Sequence, residues 1–539
     1  MDKTKRVADY LADGLYMSGC RYAFGMPGGE VLSILDAFRG SGIEFVLCKH
    51  ENNGGHMAEG IYQRTGSISA LLATIGPGAT NIVNVVANAK QERVPLLVIT
   101  GCVDQDVESY YTHQVLDHQA IFAEVTKASF KLHPATADTI VDKAIKIATT
   151  GQPGPVHIDV PVGVADIKVK PSLIKPTARP SPMAPAPGKD LLRAKELLAN
   201  SSRPLLIAGI DAVNQNAEHE IRRFVKRYRV PIITTYKAKG IVPEDDALSL
   251  GGAGLSLKSD SILFKLIKQS DLIIGAGFDP IEMRDNWRNV WDTSRVHMID
   301  FTATISNHYM YSSSISFVGD VGAGLNVLSE NVEPGNVWDE KQPTKTRRDL
   351  QAAFKPPKEW GPGLVIKTVR DAIPKDAIVA CDTGAHKLLL SQMWTCYEPR
   401  TLLQSNSFST MAIALPVAIG VQIAEPKRSV IAFTGDCGLL MCLGELSTLR
   451  ERELPIIIVV FVDSSIALIE KKQRARGFEN TGVDFNSVDF VAIAKAFGGS
   501  GHDVYTKEQL AIAIQIAKKS QQFCIIACHI PRYSYDGTF

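Results

Sequence analysis

The sequence predicts an α/β protein built from three doubly wound, parallel-sheet domains. Three observations carry this expectation. Short apolar runs recur along the chain and alternate with segments of helical periodicity, the pattern that builds parallel sheets. At 539 residues the chain is too long for one core, and three domains of about 150–200 residues are the natural division. Two proline-bearing stretches separate the alternation into three parts.

The first part covers residues 1–170. Residues 71–75 and 95–100 are apolar and read as buried strands, with residues 79–91 as the helix between them. Residues 171–189 follow as a linker. Prolines at 171, 176, 180, 182, 185 and 187 preclude helix there and favour an extended, semi-rigid chain. The second part, residues 190–335, contains the strand-like runs 204–209 and 272–278. Residues 336–358, with Pro343, Pro356 and Pro357, read as a second linker. The third part, residues 359–539, opens on a strand at 377–381 that runs into Asp382-Thr383-Gly384-Ala385-His386.

Bulk properties exclude several classes. A formal net charge of +1 with 21% charged residues argues against nucleic-acid and polybasic membrane partners. Hydrophobic residues make up 45% of the chain, ordinary for buried-sheet proteins. No apolar run approaches the roughly 20 residues of a membrane helix. Residues 1–6 lead into an amphipathic segment, unlike the apolar stretch of a signal peptide. Nine cysteines, with no zinc-ligand spacing, suit reduced thiols and a cytoplasmic protein.

The most informative motif is Thr434-Gly435-Asp436-Cys437-Gly438, with Asp463 twenty-seven positions after Asp436. Residues 430–433 and 455–461 read as strands, and 445–450 as a helix. In a parallel α/β sheet, ligands collect at the shared edge beyond the strand ends. Asp436 and Asp463 would meet there as two oxygen ligands for a small hard cation such as Mg²⁺, whose shell phosphates usually complete. The helix start between them suits the same anion. An ordinary Asp-Gly turn after a strand is the competing reading.

This stretch resembles the diphosphate-binding motif of thiamine diphosphate enzymes, which runs Gly-Asp-Gly and then, about two dozen residues on, Asn-Asn or a similar pair. Cys437 stands where that motif has glycine, and Val462-Asp463 replaces the Asn pair. If position 437 requires φ > 0, the added Cβ would strain the loop. By the resemblance, Asp436, Asp463 and the main-chain carbonyl of Ser465 would hold the metal. Gly435, Cys437, Gly438 and Ile466 would line the diphosphate.

The N-terminal part strengthens the likeness. Phe24-Gly25-Met26-Pro27-Gly28-Gly29, Lys49-His50-Glu51 and Gly76-Pro77-Gly78-Ala79-Thr80-Asn81 look like the pyrimidine-binding domain of the acetolactate synthase branch. The order pyrimidine, central, diphosphate domain then spans nearly the whole chain. In that family the glutamate matching Glu51 hydrogen-bonds the aminopyrimidine and drives cofactor deprotonation, a task for a carboxyl in a water-poor pocket. Gly25, Pro27, Gly28, Pro77, Gly78 and Asn81 would approach the cofactor through tight turns. Gln114 matches a glutamine that contacts the bound intermediate, although Val115 and Leu116 depart from the pattern. His113 and His118 are candidate proton shuttles, or structural histidines. Asp382, Gly384, His386 and Ser409 fall in the cofactor set. Met411, in Thr410-Met411-Ala412-Ile413-Ala414-Leu415-Pro416, matches the methionine that bends the cofactor; plain core filling is its bland alternative.

The central part reads Gly275-Ala276-Gly277-Phe278-Asp279-Pro280-Ile281-Glu282, which lacks the arginines of flavin-dependent relatives and looks more like the FAD-independent catabolic enzymes. No FAD is therefore expected. Lys472, in a basic run, takes the place of a family tryptophan that shapes the acceptor site; it reads either as part of a solvated helix face or as a cation for an anionic acceptor. The resemblance implies decarboxylation of a 2-oxo acid, with pyruvate as donor, and transfer of the acyl unit to a carbonyl acceptor. The alternative is a non-ligating decarboxylase or a 2-hydroxyacyl lyase. It also implies a homodimer or homotetramer with active sites at the subunit interface.

Overall fold

The computed structural model describes residues 4–170 and 181–539. Three six-stranded sheets, every pairing within them parallel, form the body of the protein. Parallel sheets are buried on both faces, so their strands read as continuous apolar runs. Leu96–Cys102 and Ile457–Val462 are buried along their whole length.

The first and third sheets share one strand order. In chain order it is 2-1-3-4-6-5, from Glu44–Leu47 through Tyr22–Gly25, Ser69–Ala73, Leu96–Cys102 and Val156–Pro161 to Ala128–Lys131 in the first. In the third it runs from Leu402–Gln404 through Ile378–Cys381, Val430–Gly435, Ile457–Val462 and Cys524–His529 to Ser500–Val504. The central sheet has the order 3-2-1-4-5-6, from Ser249–Ala253 to Ile315–Val318, the doubly wound arrangement whose switch point lies between Pro204–Ala208 and Leu272–Ala276.

The first and third units pack through the helices Glu51–Thr65 and Ala414–Ala424. Glycine permits the contact. A Cβ at Gly60 would overlap the carbonyl of Val417, and one at Gly420 the carbonyl of Met57. One apolar core consequently runs through both units, from Val85 and Val98 to Leu446 and Ile458.

Two sequence expectations need correction. The second linker holds a helix, Gln342–Ala353, which buries Pro343, Thr346 and Leu350. Pro343 lies in its first turn, where a missing N–H costs no helical hydrogen bond. The helix expected at 79–91 is two, Pro77–Asn81 and Val83–Gln91, broken at Ile82. Of the first linker's prolines, 171, 176 and 180 lie outside the described residues, and helix Lys189–Asn200 begins at its last position.

Candidate active site

Two groups of side chains gather at the C-terminal edges of the first and third sheets. In the first, Glu51 opens helix Glu51–Thr65 directly after the N-cap His50, whose ring accepts from Asn52 N. Its side chain is buried, and Asn81 Nδ2 donates to Glu51 Oε2 at 2.9 Å. Gly76 has φ +62°, and a Cβ there would lie 2.7 Å from Gln114 O. A Cβ on Gly78 would lie 2.9 Å from Thr74 Cγ2 and 3.5 Å from Glu51 Oε1. Gly25, at φ +151°, would overlap Leu72 O if it carried a side chain, and Gly28 would overlap Thr74 Oγ1. The glycines therefore let these turns pack closely against neighbouring chain, with the Gly78 turn beside the Glu51 carboxyl. Pro27, Pro77 and Asn81 are exposed.

The histidines divide. Gln114, at φ +61°, and His113 lie on an exposed loop. His118 is buried and wired: Gly76 N donates to its Nε2 at 3.3 Å, and its Nδ1 lies 2.9 Å from Asp159 Oδ1. If Nε2 accepts, the proton sits on Nδ1 and points to the carboxylate. His118 thus holds the Gly76 turn rather than facing a substrate.

In the third domain a cavity of about 110 Å³ lies beyond Val430–Gly435 and Ile457–Val462. Gly384, His386, Met411, Gly435, Asp436, Cys437, Gly438, Asp463, Ser465 and Ile466 line it, joined by Thr383 and, from the far end of the chain, Tyr535. No motif marks Tyr535, whose place depends on how the C-terminal segment folds back. Asp382 and Ser409 lie behind this lining. Asp382 is fully buried and accepts from Thr383 N at 2.7 Å, Ala412 N at 3.1 Å and Thr434 Oγ1 at 3.0 Å. It ties three loops together.

Asp436 begins helix Asp436–Met441, and its carboxylate accepts from the backbone N–H groups of Cys437 at 2.9 Å, Ser464 at 2.8 Å and Asp463 at 3.2 Å. Ser465 N donates to Asp463 Oδ1 at 3.3 Å. Burial raises the pKa of Asp436, and burial followed by the Asp436 charge pushes Asp463 up to about 7. Two neighbouring carboxylates in that state suit a divalent cation, which would offset both charges. Among the described residues no cluster of three or more His, Cys, Asp or Glu side chains is arranged for a metal; a two-carboxylate site completed by main chain is a different donor set. His386, stacked on Phe461, is kept neutral by burial, which lowers its pKa to about 3, and its Nε2 has no partner. Such a group can meet a diphosphate oxygen.

Cys437 sits in the first turn of that helix and is absent from the residues with positive φ. The strain expected of a side chain at this position does not arise, because the backbone is right-handed there. Met411 is flanked by two left-handed residues, Ser409 at φ +58° and Ala412 at φ +66°. Lys472 is exposed on helix Ala467–Ala475 and does not line the cavity.

The fold and these two sites define a thiamine-dependent enzyme. Residues 5–121, 191–328 and 382–528 match the family described as thiamine pyrophosphate enzyme, in its N-terminal TPP binding, central and C-terminal TPP binding domains. The chain is 31% identical to the acetolactate synthase large subunit of Parasynechococcus marenigrum (strain WH8102), covering 97% of this chain and 87% of that protein. It is 28% identical to the acetolactate synthase of Bacillus subtilis (strain 168), covering 94% and 90%. It is also 28% identical to the acetolactate synthase isozyme 2 large subunit of Escherichia coli (strain K12), covering 94% and 92%. The chain belongs to the thiamine diphosphate enzyme family and is an acetolactate synthase-like member of it.

Proposed function

We propose that this enzyme, with thiamine diphosphate and Mg²⁺ bound, decarboxylates a 2-oxo acid and joins the acyl unit to a second carbonyl compound. Pyruvate is the foremost donor, and two pyruvates would give 2-acetolactate and CO₂. The cofactor supplies the carbanion chemistry; the protein binds, orients and excludes water. Asp436, Asp463 and the Ser465 carbonyl are assigned to the cation, which anchors the diphosphate. Met411 would support the bound cofactor from the cavity wall. Glu51, with Asn81 fixing one oxygen, exchanges the proton of the aminopyrimidine. Gln114 and His113 face the reacting carbons from their loop.

The observation that carries the reading is the pair Asp436 and Asp463 at adjacent strand ends, beside a cavity that Met411 helps to line. That cavity draws its lining from residues 383–535, while Glu51 is partnered within its own domain. A site needing both is completed by a second copy of the chain, so the proposed unit is a homodimer or a tetramer of two such dimers. The reading includes no flavin. The switch-point cleft of the central sheet, about 310 Å³, is lined by Asp211 and by Asp279, which is ion-paired with Arg93 at 2.6 Å; the Asp211 carboxylate would oppose a dinucleotide diphosphate. Among the described residues no helix is long and apolar enough to cross a membrane, and nine free thiols, eight of them buried, suit a cytoplasmic setting.

The test is incubation with thiamine diphosphate, Mg²⁺ and pyruvate, without FAD, followed by product analysis. Acetolactate or acetoin is expected, and Glu51→Gln should abolish turnover. Acetaldehyde alone would replace the ligase reading by a simple decarboxylase. Thiamine diphosphate binding without pyruvate loss would remove pyruvate as donor.

A further inference from the structure

Lys387 is buried to 2% exposure on helix Ala385–Met393. A lysine in such a place must be supplied with acceptors, and its Nζ reaches three uncharged oxygens: Ser405 O at 2.6 Å, Ser409 Oγ at 3.1 Å and Thr383 Oγ1 at 3.3 Å. Two of these belong to the loop that leads into Met411. The same loop is gripped on its other side by Glu92 of the first domain, which accepts from Ser407 N at 2.8 Å, Ser405 Oγ at 3.0 Å and Phe408 N at 3.2 Å. Glu92 is in turn ion-paired with Lys237 of the central domain at 2.7 Å. All three domains thereby converge on residues 405–409.

The convergence has a purpose that core packing does not explain. Ser409 and Ala412 hold left-handed backbone conformations, disfavoured for residues with a Cβ. They persist only if the surroundings over-determine them. Asp382 fixes Ala412 through its N–H, and Lys387 fixes Ser409 through its hydroxyl, which itself donates to Asn406 O at 3.1 Å. Met411 lies between the two clamps and lines the cavity.

We propose that Lys387 is a positioning residue for the cofactor: by bridging Ser405 O and Ser409 Oγ, its ammonium holds the left-handed turn that sets Met411 in the cavity. The inference rests on the reading of Met411 as the cofactor's support. The clamp has a titration of its own. Burial brings the Lys387 pKa down to about 8. Glu92, Asp382 and the Cys381 thiol favour the proton staying, Arg284 opposes it, and the neighbouring His386 is neutral. Above that pH the amine keeps two hydrogens for three acceptors, and the turn is less constrained.

The test is equilibrium binding of thiamine diphosphate, with Mg²⁺, to wild type, Lys387→Met, Lys387→Gln, Ser409→Ala and the Lys387→Met/Ser409→Ala double variant, from pH 6.5 to about 9.5, a range bracketing the shifted lysine. Lys387→Met should weaken binding about tenfold at neutral pH, the scale of one hydrogen bond to a charged group. Lys387→Gln, which keeps N–H donors, should recover part of that loss and should lack the wild-type decline in affinity above pH 8. Ser409→Ala should weaken binding in wild type and add nothing to Lys387→Met. Wild-type affinity in the Lys387 variants, an unchanged pH profile in Lys387→Gln, or additive losses with Ser409→Ala would each overturn the proposal. If Lys387→Met does not fold, the glutamine and alanine variants decide alone. Failure of wild type to bind thiamine diphosphate would instead overturn the cofactor reading itself.

Discussion

Asp300 gives a quantitative test of how the central domain is built. It lies within strand His297–Thr302, fully buried. Tyr311 donates to its Oδ2 at 3.1 Å, while Oδ1 has no partner. Gly275 on the neighbouring strand leaves room for that oxygen, since a Cβ there would overlap it. Burial, reinforced by the charges of Asp211 and Asp279, pushes the carboxyl from its ordinary 3.8 to about 7. The folded state therefore holds a proton that the unfolded chain has released. A group whose folded pKa is raised in this way contributes stability below the unfolded pKa and loses it as pH rises to the folded value. The full loss, between pH 3.8 and about 7, is roughly 4 kcal/mol at 1.36 kcal/mol per pH unit. Asp300→Asn keeps an acceptor for Tyr311 and does not titrate. Relative to wild type, the variant should gain about 2–3 kcal/mol between pH 5 and pH 8, the part of the window lying above pH 5. Denaturant unfolding followed by tryptophan fluorescence reads this out, because Trp287, Trp291 and Trp338 are buried in the central domain's core. A difference that does not change with pH would refute the reasoning, since it would mean that Asp300 is ionised, or neutral, throughout.

Other outcomes follow from the same geometry. Gly420→Ala should lower the thermal midpoint and cost about 1–3 kcal/mol, because its Cβ meets the Met57 carbonyl and no rotamer relieves it; Gly40→Ala, in a helix with nothing within 4 Å of the added carbon, should be neutral or stabilising by about 0.5–1 kcal/mol. His118→Ala should destabilise by roughly 1–3 kcal/mol in denaturant unfolding, since Gly76 N and Asp159 lose a buried partner. Chelation of divalent metal should release thiamine diphosphate on gel filtration, and Asp463→Asn should weaken its binding at saturating Mg²⁺. Retention of the cofactor in both experiments would remove the cation from the site.

Strands were the most legible part of this sequence. A parallel sheet buried on both faces must be written in continuous apolar residues, and 430–433 and 272–278 carry that writing plainly. The ends of those strands were legible for a related reason. Asp436 and Asp463 are acids placed just beyond apolar runs, where only a ligand or a turn has a use for them. Helices were less well marked. Pro343 made residues 336–358 look like a linker, but proline in a first turn is compatible with helix, and burial of Leu350 holds it there.

The polar groups that link the domains left almost no local signal. Lys387 follows a histidine in a helix that also carries Ser391 and Gln392, and nothing adjacent to it in sequence reveals that Ser405 and Ser409 will supply acceptors. Glu445 reads as an ordinary helix-opening acid, yet it receives Lys49 N at 2.9 Å and Asn53 Nδ2 at 3.0 Å from the first domain. The glycines behave in the same way. Gly54, Gly55 and Gly60 within helix Glu51–Thr65 lower its intrinsic propensity and look like defects. At each of them a Cβ would crowd a neighbour: Cys48 and Gly25, Val85, and the Val417 carbonyl. The helix that presents Glu51 is thus weak alone and fixed by what surrounds it. Its position, and that of the carboxyl at its first residue, is a property of the packed domains, so substitutions at Gly60 or Gly420 should disturb Glu51 without touching it.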